Sequence, residues 1–447
     1  MNSAIDKSAY ANQHSTNDPT PNLFPRGHLL PFILVTALFF IWGMSNNLTD
    51  ILVQQFKKSF ELSPVQAQLV QTSVFFGYFC MALPAAICMH RWGYKFGILA
   101  GLCLFGTGTL MFWPAAVIGR YWLMLAALFV VGCGSATLET AANPFIAESG
   151  PAATSEQRLN FSQAFNPPGT ITGVLIGTFF IFSGVELSSA KVALMKSQGT
   201  YAGYLHGEIM RVVPTYVSLG CVVLLLAAII GFTKFPNVPR ELSTKKPGSL
   251  IRQIIALLRV LQLRSAILAQ FCYCGAQVST WSAFIPYVRQ YTHSSERSAG
   301  LLLTGNLIAL AIGRLVSTGL MRWINPARMM SAYASINILL LAIAILHPGD
   351  LGAGAILFTS FFMSIMFPTI FAMGIKGLGA DTKLGGSLIV MSVVGAGIIP
   401  PLLGLVAKHS GSYALGYTVV AACYLIVAIY SLNARSRTSI HTVPTPI

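Results

Sequence analysis

Charged side chains are scarce in this chain: Asp, Glu, Lys and Arg make up 9% of its 447 residues, against 54% hydrophobic ones. Soluble domains carry about 25% charged residues, so no soluble fold could cover this much apolar surface. The phosphate-cradling pattern Gly-x-x-x-x-Gly-Lys-Ser/Thr is absent, and most predicted loops are too short for a nucleotide-binding domain. Work driven by nucleotide hydrolysis within this chain is therefore not expected. The eight Cys lie in apolar stretches without metal-ligand spacing or an extracellular framework, and read as packing residues. Residues 1–28 are polar and lack both an apolar core and a small-residue cleavage site, so no secretory leader is expected. No nucleophile, base and orienting group come together, which argues against an enzyme. Acidic residues are few, 13 against 28 Lys plus Arg. In a soluble protein the resulting +15 would suggest nucleic acid; here it reads as topology. Roughly twice as many Lys and Arg fall on the side of the N-terminus as on the other, which predicts both termini in the cytoplasm.

What is abundant is apolar sequence in runs of the length that crosses a bilayer, about 20 residues each. The spans predicted are 30–56, 64–88, 94–116, 121–147, 157–183 and 212–233, then 263–291, 298–322, 326–347, 350–377, 382–408 and 412–432. They define an all-α membrane protein of twelve transmembrane helices in two pseudo-symmetric six-helix bundles. The expected organisation is a polar tail over 1–29, bundles over 30–233 and 263–432, a basic cytoplasmic linker over 234–262, and a C-terminal tail over 433–447. The halves echo one another. Met89-His90-Arg91-Trp92-Gly93 after the second span matches Met321-Arg322-Trp323-Ile324-Asn325 after the eighth, and Asn143-Pro144-Phe145 in the fourth matches Phe367-Pro368-Thr369 in the tenth. Duplicated halves around a midplane site are a common plan for secondary transporters.

An ionised side chain in a membrane helix costs about 2.5–3.5 kcal/mol on insertion scales, so each needs a reason. Asp50, Glu139 and Arg314 stand out, while no His or Lys lies deep in a predicted span. Asn46, Asn47 and Asp50 share one side of the first helix by the i, i+3, i+4 rule. Asp50 falls about 30 Å from the start of its helix, in the outer half, whereas Glu139 lies nearer the cytoplasm. Desolvation penalises a charged carboxyl, so these two acids are the candidate proton carriers. Gln163 and Asn166 in the fifth span, and Gln270 and Gln277 in the seventh, offer amide donors and acceptors suited to hydroxyl groups. Tyr273 and Trp281 offer flat apolar faces for a sugar ring. With one buried cation, a neutral polyol fits better than an anion. Arg314, and Arg91 in the second loop, are expected to be structural or gating residues.

Asn46-Asn47-Leu48-Thr49-Asp50, Glu139-Thr140-Ala141-Ala142-Asn143-Pro144-Phe145, Gln163-Ala164-Phe165-Asn166, Ala269-Gln270-Phe271-Cys272-Tyr273 and Met363-Ser364-Ile365-Met366-Phe367-Pro368-Thr369-Ile370-Phe371 occur in this order. In them the chain resembles the fucose permease family of the major facilitator superfamily, from about residue 30 to about residue 432. The resemblance implies alternating access and proton-coupled uptake of a monosaccharide, L-fucose or a related hexose, in the bacterial inner membrane. It also implies that Asp50 and Glu139 are the proton-linked pair. Two positions depart from the pattern: Phe367 stands where fucose carriers often have Tyr, as in relatives that carry glucose and galactose, and Pro167-Pro168 follows Asn166. A glucose, galactose or other hexose carrier of the same family is the runner-up, a sodium-coupled version is a further alternative, and a non-transporting sugar receptor is the rival from another class. The partners expected are a neutral sugar, a proton and the lipid bilayer, for a monomer without cofactor, metal or nucleic acid.

Overall fold

The computed structural model describes residues 29–62, 64–181, 187–235, 250–292, 294 and 296–440. Leu29–Ser59 forms α1. A helical run over Pro64–Leu110 is broken at Gly93, whose φ of 82° is open to glycine at little cost. The break separates α2 (64–92) from α3 (94–118). Next come α4 (Tyr121–Glu148) and α5, built from Ser155–Gln163 and Asn166–Ile176 with a wider turn to Ile181. Tyr201–Phe232 is α6. The second half holds α7 (Leu261–Ser282, continued by Phe284–Thr292), α8 (Glu296–Leu320) and α9 (Pro326–Leu346). It ends with α10 (Asp350–Met363 and Met366–Ile375), α11 (Thr382–Met391 and Gly395–Ser410) and α12 (Tyr413–Ile440). Ten spans are each long and apolar enough to cross a bilayer. One of them holds both α2 and α3, and α7 adds a further crossing, so the described residues make twelve.

The duplication expected from sequence is visible in the packing. α1 lies on α5 as α7 lies on α11, α2 on α4 as α8 on α10, and α3 on α6 as α9 on α12. Lipid offers no hydrophobic drive between helices, so close backbone approach has to hold such pairs. Gly169 of α5 faces the Phe40 carbonyl of α1, and Gly395 of α11 faces the Phe271 carbonyl of α7. A Cβ at either would strike that backbone. These are matching places in the two bundles.

Helices α5, α10 and α11 are interrupted in mid-course, at Ala164–Phe165, Ser364–Ile365 and Ser392–Val394. Such interruptions free carbonyls from the helical ladder, which need other partners. The halves meet where α2, α4 and α5 touch α8, α10 and α11. Successive crossings reverse direction, so the ends of the even helices and the starts of α5 and α11 share the face from which α1 begins. On that face Lys376 pairs with Glu156 at 2.9 Å, and Asn160 donates to the Thr369 hydroxyl at 3.0 Å. Gln157 donates to the Thr318 carbonyl at 3.1 Å. Lys383 donates to the Met89 carbonyl at 3.0 Å and stands over the Tyr94 ring. This face is closed.

Two departures from the sequence reading concern charges. Arg158 is wholly buried, and it donates to the carbonyls of Ile146, Ala147 and Pro151 and to the Thr154 hydroxyl, tying α5 to the end of α4. The start of α6 extends back to Tyr201, which brings Glu208 inside. There Glu208 accepts from Gln55 at 3.1 Å and from Lys58 at 3.2 Å, both on α1. Of the expected linker, residues 236–249 lie outside the described residues.

Candidate functional site

Glu139 sits in the second half of α4, 2% exposed. Neither of its carboxylate oxygens has a hydrogen-bond partner among the described residues. The Tyr78 hydroxyl of α2 and the Asn143 amide, one turn further along α4, stand beside it without closing a bond of ordinary geometry. Cys274 of α7 approaches from the opposite half. A charged carboxylate left like this costs several kcal/mol, so the site is built for an acid that is neutralised or given a partner.

A chain of contacts runs from this acid across the molecule. Asn143 accepts from the Gln163 side chain at 3.1 Å, and the Asn143 amide nitrogen has no partner. Gln163 is the last helical residue before the α5 break, and its freed carbonyl accepts from Arg314 Nη1 at 2.9 Å. The same guanidinium donates through Nε to the Ser364 carbonyl, at the α10 break, at 2.7 Å. Arg314 therefore joins two interrupted helices of opposite halves through backbone carbonyls, and no ion pair with Glu139 forms. Beside it lies Tyr273, whose hydroxyl is buried and unpartnered. The Tyr273 ring meets Phe367 edge-on, with centroids 6.3 Å apart. Gln270, one turn before Tyr273, donates to Cys274 Sγ at 3.6 Å and leaves its own oxygen unpartnered.

The remaining expected residues are placed differently. Asn166 gives its amide to the Phe39 carbonyl at 3.3 Å and so braces α5 on α1. Trp281 donates to Ser360 at 3.3 Å within the second bundle. Gln277 and Asn47 are half-buried, and Asn46 is exposed on α1. Asp50 belongs to α1, but its side chain lies outside the described ones. Arg91 is exposed at the end of α2.

Sequence reasoning missed Tyr78, Asn143 and Trp42 as site residues. Trp42 carries an unpartnered indole N–H and neighbours Tyr78, as does Ser135. Asn143 had a readable signal, since i, i+4 from Glu139 puts the two on one face. Tyr78 and Trp42 reach the site only through tertiary packing.

Two duplicated helical bundles, meeting at broken helices around buried polar groups, define a membrane transporter of the alternating-access type. The family model described as Major Facilitator Superfamily matches residues 33–383. This chain belongs to the Major Facilitator Superfamily and is a transporter, not an enzyme. It is 40% identical over 416 residues to the L-fucose-proton symporter of Escherichia coli, covering 93% of this chain and 95% of that protein. It is 31% identical to the glucose/galactose transporter of Brucella abortus biovar 1, covering 93% and 97%. Among solved structures it resembles the E. coli fucose:proton symporter, with a TM-score of 0.84 and 38% identity over 92% of this chain and 99% of that one. It also resembles a Major Facilitator Superfamily transporter in the outward conformation, with a TM-score of 0.85 and 39% identity over 92% and 99%.

Proposed function

We propose that this protein imports a neutral hexose, L-fucose or a close relative, together with a proton, across the bacterial inner membrane with both termini in the cytoplasm. The observation that carries the proposal is Glu139: an enclosed carboxyl without a partner among the described residues, at the junction of the halves, beside amides that can hold hydroxyl groups. A sugar hydroxyl donating to this carboxyl supplies the missing partner, and a proton on it removes the charge, so the occluded state becomes accessible only when the site is loaded. In this reading Asn143 and Gln163 offer amides from the first half, and Tyr273, Phe367 and Gln270 face them from the second. The contacts on the face where α1 begins close the site on that side.

The glucose/galactose alternative has one observation in its favour, Phe367, which presents a ring edge and no hydroxyl where it meets Tyr273. The test is uptake of labelled L-fucose, D-galactose and D-glucose into vesicles with an imposed pH gradient. Accumulation of L-fucose above the others supports the proposal. Accumulation of D-glucose or D-galactose alone establishes the alternative, and uptake of none of the three overturns both.

A further inference from the structure

Leu250–Arg259, just before α7, is a short helix of its own. Its axis turns through 86° into α7, at an extended Val260 whose N–H still bonds the Leu257 carbonyl at 2.9 Å. Because α7 crosses the bilayer, a helix at a right angle to it at the membrane surface runs in the surface plane. The sequence Leu250-Ile251-Arg252-Gln253-Ile254-Ile255-Ala256-Leu257-Leu258-Arg259 is amphipathic. Its i, i+3, i+4 stripe is apolar, with Arg252, Ala256 and Arg259 on the other side. Leu257 is buried against the bundle, which covers one edge of that stripe. The other edge is uncovered: Ile255 is 48% exposed and Leu258 39%, and Val260 and Leu261 continue it to the turn. Arg252 and Arg259 stand three and four residues from Ile255, on its polar flank, and both are exposed.

We propose that this helix is an interfacial anchor, immersed to the headgroup–acyl boundary along its Ile255–Leu258 edge, with Arg252 and Arg259 binding the phosphates of anionic phospholipids. The orientation follows from three features together: the right-angle turn fixes the plane, the half-covered apolar stripe needs a second apolar medium, and the exposed arginines flank the uncovered edge of that stripe. Coming between the bundles, the anchor holds the start of α7 at the membrane surface while the halves rock. It does not depend on which solute is carried.

The test uses the full-length chain in phosphatidylglycerol/phosphatidylcholine vesicles, with its native Cys replaced and a nitroxide placed singly at Ile255→Cys or Ala256→Cys. Power saturation with oxygen and with a water-soluble nickel chelate reports depth. The expected result is a label at 255 in the headgroup–acyl boundary and one at 256 in water. Equal, aqueous values at both positions overturn the proposal. Contact of labelled phosphatidylglycerol with the 255 probe should exceed that of labelled phosphatidylcholine, and Arg252→Gln with Arg259→Gln should reduce that preference about fivefold per charge. Equal contact by the two lipids in the unmodified arginine background overturns the anionic part of the claim, and preference retained by Arg252→Lys with Arg259→Lys supports it.

Discussion

Replacing Glu139 separates its two proposed roles. Its carboxylate is buried and both oxygens lack partners among the described residues, so both are open to a sugar hydroxyl or to protonation. A hydrogen bond to a charged group is worth about 1.5–3 kcal/mol. Glu139→Ala removes that acceptor and should weaken sugar affinity about ten- to a hundredfold. The neighbouring Asn143 amide nitrogen, unpartnered among the described residues, is a donor and does not replace the lost acceptor. Glu139→Gln keeps the shape and one acceptor oxygen but carries no exchangeable charge. It should lose accumulation driven by a pH gradient while retaining much of the sugar-for-sugar exchange, in which the loaded carrier cycles without releasing a proton. The assay is counterflow and uphill uptake of the same labelled sugar in the same vesicles. Counterflow affinity unchanged in Glu139→Ala would refute the role in sugar binding. Full uphill accumulation by Glu139→Gln would refute the role in coupling.

Asp50→Asn should likewise abolish uphill uptake and spare counterflow, and unlike Glu139→Ala it should leave counterflow affinity nearly intact; a large affinity loss would place Asp50 in the sugar site instead. Phe367→Tyr adds a hydroxyl facing Tyr273 and should reorder hexoses in competition assays, since an unpaired buried polar group costs about 1–3 kcal/mol; an unchanged ranking would remove Phe367 from the site. Lys376→Glu should open the closed face by setting like charges together at the Glu156 pair, and adding Glu156→Lys should close it again, as read by spin-label distances between α5 and α10. Because Lys376 is 44% exposed, the single effect should be modest. Gly169→Val should impair folding and membrane yield, because its Cβ meets the Phe40 carbonyl of α1; normal yield and uptake would contradict the close α1–α5 packing.

The twelve helices and their duplication were legible because each span follows from bilayer thickness, and because paired motifs recur in order. Glu139 was legible because a lone acid in an apolar run needs a reason. The partners of Arg314 were not: they are carbonyls of Gln163 and Ser364 freed where α5 and α10 break, and any residue type supplies a carbonyl. For the same reason Arg158 escaped notice, since its donors go chiefly to backbone carbonyls at the α4–α5 turn. Glu208 was hidden by a helix start predicted too late, since Tyr201–Met210 is helical where a loop was expected. Asn166 was read as a sugar contact from its amide, its spacing from Gln163 and the resemblance, and the structure gives its amide nitrogen to the Phe39 carbonyl. Side-chain chemistry identifies what a residue can bind, whereas tertiary packing decides what it does bind.

Symport itself is the central claim, and the proton is the part to measure. Purified protein in lightly buffered vesicles, with no imposed ion gradient, is exposed to external L-fucose while the pH of the medium is recorded. Sugar entering with a proton should turn the medium alkaline, to an extent that follows the sugar taken up and that a protonophore abolishes, and Asp50→Asn should give no such signal. Sugar uptake at the same rate with no change of external pH would contradict the account.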